Sequence, residues 1–223
     1  LSIIAGRPGM GKSSWLLSVG RRAAAAGEPV ALFTLEMSKE EVTRRLVSAE
    51  TGISLRRIEE GNLDDSEWSM YVDAVERITR LPLYIDDGTG LTPWKLRTKA
   101  RRAVRRLGVK LVMIDYLQLM VTAGKSENRT QEIAQITRGL KLLAKELRTP
   151  ILSAAQLNRE VEKRADKRPL LSDLAEGGSI ENDSDMVMFI YREDAYNDDT
   201  DRPNQADIII AKHRNGPTGA VTL

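Results

Sequence analysis

The chain has no cysteine, which excludes disulfides and thiolate metal sites and suits a reducing, cytoplasmic setting. Aromatic residues are scarce, with two Phe and three Trp, and no apolar stretch approaches the ~20 residues of a membrane-spanning helix. No secretory signal opens the sequence. A large charge excess is also missing: the formal net charge of +2 gives by itself no ground for a nucleic-acid partner. Internal repeats and low-complexity segments are lacking. What remains, 41% hydrophobic and 30% charged residues, is the composition of a globular domain with one sizeable core. Leu1 and Leu223 both interrupt apolar runs, so residues 1–223 read as a single domain cut from a longer protein.

Helical patterns alternate with short β-branched runs, the rhythm of an α/β fold built on a mainly parallel sheet. Strands are expected at 1–5, 30–35, 83–85, 111–114, 151–155, 186–191 and 207–212, with a last one from Ala220. Helices are expected at 13–26, closed by Gly27; from a Ser38/Glu41 capping box to about Thr51; through 68–78; from Thr92, with Pro93 at its first position, to Gly108; and from a polar loop at 122–129 to about Leu147. Residues 158–183 read as loop.

The strongest chemical signal is residues 6–13, G-R-P-G-M-G-K-S, directly after the first strand. This is the phosphate loop G-x-x-x-x-G-K-[ST], whose backbone N–H groups cradle α- and β-phosphates while Lys12 reaches the β- and γ-phosphates and the Ser13 hydroxyl holds Mg²⁺. The helix that follows points its positive end at the same anion. The nucleotide-binding set is therefore Gly6, Arg7, Pro8, Gly9, Met10, Gly11, Lys12 and Ser13, with Ser14 after it.

A second landmark is the apolar strand 111–114 ending in Asp115, where a carboxylate can order the Mg²⁺ shell beside Ser13. Hydrolysis also needs a group to activate water, and the position after Asp115 is Tyr116. Glu36 is the candidate, since a strand at 30–35 lying parallel beside the first would deliver it to the phosphate-loop edge.

Residues 33–38 (FTLEMS), 114–119 (IDYLQL), 155–159 (AQLNR) and 212–217 (KHRNGP) together resemble, in order, the motifs of bacterial replicative DNA helicases of the DnaB family. The resemblance runs through essentially the whole chain and implies the family's RecA-like ATPase domain without the collar domain and linker helix of full-length members. It implies Gln156 as γ-phosphate sensor and Lys212 with Arg214 as a pair acting on a neighbouring subunit's nucleotide. Two residues apart on an extended segment, the pair projects to one face. For DNA contact it points to a loop around Glu176, Gly177 and Gly178. Family members commonly carry a basic residue where this chain has Ala175, which shifts the phosphate contact toward Arg159, Arg164 or the backbone around Gly178. The basic run Lys95 to Arg106 spreads its charges around its helix, as a solvated surface does.

What the resemblance implies is a homohexameric motor that hydrolyses ATP with Mg²⁺, moves 5′ to 3′ on single-stranded DNA at the replication fork, and works with primase and a helicase loader. The alternatives are a recombinase of the RecA class, which should lack the Lys-x-Arg-Asn-Gly-Pro terminus, and a regulatory RecA-like ATPase acting on protein. A small-molecule kinase is disfavoured, because no acceptor-binding lid is visible.

Overall fold

The computed structural model describes residues 1–121, 129–175, 178–197 and 199–223. In chain order the elements are β1 (Ser2–Gly6), α1 (Lys12–Ala25), β2 (Val30–Thr34), α2 (Lys39–Thr51), α3 (Leu55–Glu59), α4 (Asp65–Thr79), β3 (Leu83–Asp86) and α5 (Pro93–Leu107). There follow β4 (Leu111–Asp115), α6 (Arg129–Leu147), β5 (Ile151–Gln156), α7 (Gly178–Asp183), β6 (Met186–Tyr191), β7 (Asp207–His213) and β8 (Gly219–Thr222).

The strands form one sheet in the order β3-β2-β4-β5-β1-β6-β7-β8. The first six in that order pair in parallel, while β7 and β8 add an antiparallel edge. Central strands read as continuous apolar runs because both of their faces are covered. In β1, Ile3 enters the layer formed with α5 and α6, and Ile4 enters the opposite layer formed with α1, α2 and α4. Leu96, Ala100, Ile133 and Ile136 bury the first helical layer. Leu16, Leu17, Val42, Leu46 and Ala74 bury the second.

Caps set the helix starts. Ser38 Oγ accepts from Glu41 N, but the Glu41 side chain pairs with Arg45 and does not complete a capping box. A reciprocal box does occur between Asp64 and Glu67, which starts α4 three residues earlier than the apolar pattern alone indicates. Thr92 caps α5 ahead of Pro93, and Gly108 ends it in the left-handed conformation.

The expected loop at 158–183 is corrected: it contains 3₁₀ turns at Arg159–Lys163 and Leu171–Asp173, and the short helix α7. Arg164 explains much of that order. Its guanidinium makes a bidentate pair with the buried Asp173 at 2.9 Å on both nitrogens and donates to Arg168 O at 2.7 Å. Asp173 also accepts from Leu170 N. The expected polar loop falls, over residues 122–128, outside the described residues.

Candidate functional site

Ligands of open parallel sheets bind outside the carboxyl ends of the strands. Here β1, β2, β4, β5 and β6 all end on one edge, over a cleft of about 430 Å³. Its wall includes Pro8, Gly9, Gly11, Lys12, Ser13 and Ser14. Gly11 takes φ +91°, a left-handed conformation that favours glycine, and is the N-cap of α1. The other three residues of the predicted nucleotide set close the loop from behind. A Cβ on Gly6 would lie 2.7 Å from the Ile190 side chain, Met10 is packed in the core, and Arg7 turns away to Glu162 (2.8 Å) and Leu157 O (2.9 Å). The Arg7 side chain therefore braces the loop and does not face the cleft, a correction to its place in that set.

The candidate chemical groups converge from neighbouring strands. Thr34 pairs with Asp115 across β2 and β4, and Leu35 N donates to Asp115 O at 2.8 Å. Thr34 Oγ1 both donates to Met37 O and accepts from Met37 N, so the chain turns sharply and leaves Glu36 exposed at the cleft. Gln156 ends β5 and Tyr116 follows Asp115, both on the same wall.

Charge in this cleft is finely balanced. Burial pushes the Lys12 ammonium below its usual range, opposed by Asp115 and Glu36, and its Nζ donates to Arg7 O at 3.0 Å. Burial pushes Asp115 up, opposed by the Ser13 hydroxyl and by Lys12 and reinforced by Glu36. Although Ser13 stands close enough to favour the charged form, no donor meets either carboxylate oxygen at hydrogen-bonding geometry, and both oxygens are buried. Two unpartnered acidic oxygens beside a hydroxyl suit a hard divalent cation, which takes oxygen ligands. Among the described residues no cluster of three or more His, Cys, Asp or Glu could form an all-protein metal cage.

Three cleft features escaped the sequence reading. Arg45 reaches the wall from α2, and Arg192 does so as the first residue past β6. The rule that singles out Asp115 and Gln156, a polar residue at a strand's carboxyl end, applies to Arg192 as well. Gln118, in the turn Leu117–Leu119, hydrogen-bonds the Gln156 backbone, a contact visible only in three dimensions.

Lys212 and Arg214 are far from this cleft. Met186 pairs with both Ser2 and His213, so the pair stands at the opposite edge of the sheet, roughly 15 Å from the loop along the five residues of β1. Lys212 Nζ donates to Glu181 O and Arg214 Nη2 to Asn182 O, both at the end of α7, so the two side chains do share a face. Of the candidate DNA-contacting residues, Arg159 is exposed and Gly178 begins α7, while Glu176 and Gly177 lie outside the described residues. Arg164 is corrected: its guanidinium is occupied by Asp173. On α5, Arg97 and Arg101 pair with Glu146 and Lys99 with Asp86, outside the face that buries Leu96, Ala100 and Ala103.

Residues 1–223 match the DnaB-like helicase C terminal domain. The replicative DNA helicase DnaB of Leifsonia xyli subsp. xyli (strain CTCB07) is 47% identical over 222 residues, covering 99% of this chain and 49% of that protein. The replicative DNA helicase DnaC of Bacillus subtilis (strain 168) is 42% identical over 225 residues, covering 100% and 50%. The chain thus spans about half the length of the curated relatives it matches. Among solved structures, a DnaB-like replicative helicase described with its primase interactions superimposes with a TM-score of 0.96 at 37% identity, covering 100% of this chain and 54% of that one. A second solved structure, described as an ATPase domain, gives 0.95 at 38%, covering 100% and 80%.

Proposed function

Because this chain belongs to the DnaB-like helicase C-terminal domain family, we propose that it is the ATP-hydrolysing motor domain of a replicative DNA helicase. The observation that carries this reading is the gathering of Lys12, Ser13, Glu36, Asp115 and Gln156 around one cleft at the ends of four parallel strands. The phosphate loop holds the triphosphate of ATP through its backbone N–H groups and Lys12. Ser13 and Asp115 would hold Mg²⁺, which neutralises charge on the transferring phosphoryl group when bound. Glu36 orients a water and takes its proton. Gln156, with an amide that can both donate and accept, registers the γ-phosphate.

Lys212 and Arg214 are too distant to serve their own cleft, so their charges act on the nucleotide of an adjacent subunit in a homohexameric ring. The matched family favours the helicase over a filament-forming recombinase and over a regulatory ATPase. Translocation 5′ to 3′ on single-stranded DNA at the replication fork, contact with primase and a loader, and a cytoplasmic site of action complete the proposal. Among the described residues no helix is long and apolar enough to cross a membrane.

Steady-state hydrolysis of Mg·ATP with and without single-stranded DNA tests this reading. Turnover should rise with DNA and vanish in Lys12→Ala. Hydrolysis indifferent to both DNA and Lys12 would refute it.

A further inference from the structure

Resting on the reading of Arg214 as a cation for an adjacent subunit's nucleotide, we infer that Asp185, saturated by Lys141, is the positioning residue that aims the Arg214 guanidinium outward. A β-bulge in β7 brings the two together. Met188 pairs with Ile210 and Val187 with Lys212, so Ala211 is an extra residue on its strand. Directly opposed residues of an antiparallel pair share a face. Val187 belongs to the core layer formed with α5 and α6, and Met188 to the opposite layer. The bulge therefore turns Lys212, and Arg214 two residues on, to the α6 side; unbroken alternation after Ile210 would send both to the other face. It also sets Arg214 beside Asp185, whose O accepts from Arg214 N at 2.7 Å.

Asp185 directly precedes β6. Lys141, on α6, donates to both of its carboxylate oxygens, and Leu1 N donates to Oδ2 at 2.8 Å. Arg214 Nε stands 3.7 Å from Oδ1, an ion pair too long for a hydrogen bond. Its Nη2 rests on Asn182 O at 3.3 Å, and among the described residues Nη1 meets no acceptor. A carboxylate without Lys141 would take the guanidinium in a bidentate fork, as Asp173 takes Arg164, and occupy the N–H groups that a phosphate needs. Saturated by Lys141, Asp185 attracts the Nε edge without capturing the fork, so the half-exposed guanidinium is oriented and still free to bind an anion. Lys145 and Arg148 line the same depression of about 500 Å³ as Lys141, Asp185 and Arg214. With Lys141 and Asp185 compensating each other, the surplus there is positive and favours an incoming phosphate.

Turnover and ATP affinity of Asp185 variants in the assembled protein test this. Asp185→Asn keeps the shape and loses the charge that orients Nε. Turnover should fall by about tenfold with ATP affinity unchanged, and Asp185→Glu should keep more of the activity. Unchanged affinity also shows that the subunit is folded. Mixing separates positioning from a merely structural ion pair, because the defect lies on the cation side of an interface. Co-assembly with Lys12→Ala subunits, whose cations are intact, should raise turnover per intact phosphate loop above that of Asp185→Asn alone. Wild-type turnover in Asp185→Asn, a matching loss of its own ATP affinity, or no recovery in mixtures where Arg214→Ala does recover would each overturn the inference. Failure of the underlying reading looks different: Arg214→Ala would then itself hydrolyse ATP at the wild-type rate.

Discussion

The side-chain amide of Gln118 grips the backbone of Gln156 at both ends, accepting from its N–H at 3.1 Å and donating to its carbonyl at 3.3 Å. The β4–β5 ladder stops at Ile114 and Ser153, so Gln118 stands in for the missing strand and extends the pairing to the cleft. On its other side Gln156 is paired with Gly6 of the phosphate loop. Gln118→Ala should therefore loosen the Gln156 side chain while leaving the phosphate loop intact. Turnover should fall by roughly tenfold or more with nucleotide affinity retained, a split between kcat and binding that equilibrium titration and steady-state kinetics can resolve.

Lys12→Ala and Glu36→Gln should fail in different ways. The first removes the loop's mobile cation and should abolish both hydrolysis and tight nucleotide binding. The second keeps shape but cannot accept a proton, so Mg·ATP should still bind while turnover drops by about 10²-fold or more. Normal turnover in Glu36→Gln would place the base elsewhere.

Arg214→Ala should bind ATP normally, because its own phosphate loop is intact, yet lose on the order of 10³-fold in turnover. Mixing it with Lys12→Ala subunits should restore partial activity, since some interfaces then pair an intact loop with an intact cation. Mixed assemblies that form and show no recovery would argue against action across a simple pairwise interface.

Removing Arg164 leaves the buried Asp173 carboxylate without its bidentate partner. Because Arg164 is itself only partly buried, the expected loss in Arg164→Ala is about 2–3 kcal/mol of unfolding free energy, below the range for fully buried pairs. Denaturant titration measures it. The salt dependence of DNA binding should not change in this variant, whereas Arg159→Ala should lower its slope by about 1 if Arg159 meets phosphate.

Asp207 ties the antiparallel edge together. Arg202 contacts it through both Nη atoms (3.1 and 2.6 Å), with Thr222 at 2.7 Å and Arg168 at 2.8 Å. Arg202 holds its carboxyl far below the ordinary range, against burial and with help from Thr222 and Arg168. A carboxyl depressed in the folded state stabilises above its unfolded pKa, and that stability is lost as pH falls through the folded value. Asp207→Asn should thus lower stability at pH 7 by roughly 1–2 kcal/mol, discounted because the arginines are partly exposed. The deficit should shrink as pH drops below about 4, which thermal melts across pH will show.

Much of this protein is legible in local chemistry. The phosphate loop, the apolar strands ending at Asp115 and Gln156, and the caps at Ser38 and Thr92 depend on short-range rules, so neighbouring residues suffice to read them. Covered sheet faces likewise announced themselves as unbroken apolar runs. Tertiary structure alone decided which side chains were already occupied. Arg7 and Arg164 look like free cations in the sequence, but Glu162 and Asp173 claim them from 155 and 9 residues away, respectively. It also decided distance: β7 runs antiparallel to β6, which puts Arg192 in the cleft and Lys212 with Arg214 at the far edge, although all three sit near the ends of apolar strands. The physical reason is that hydrogen-bond saturation and charge pairing are settled between segments that meet only after the sheet has assembled, and no local pattern encodes which partner arrives.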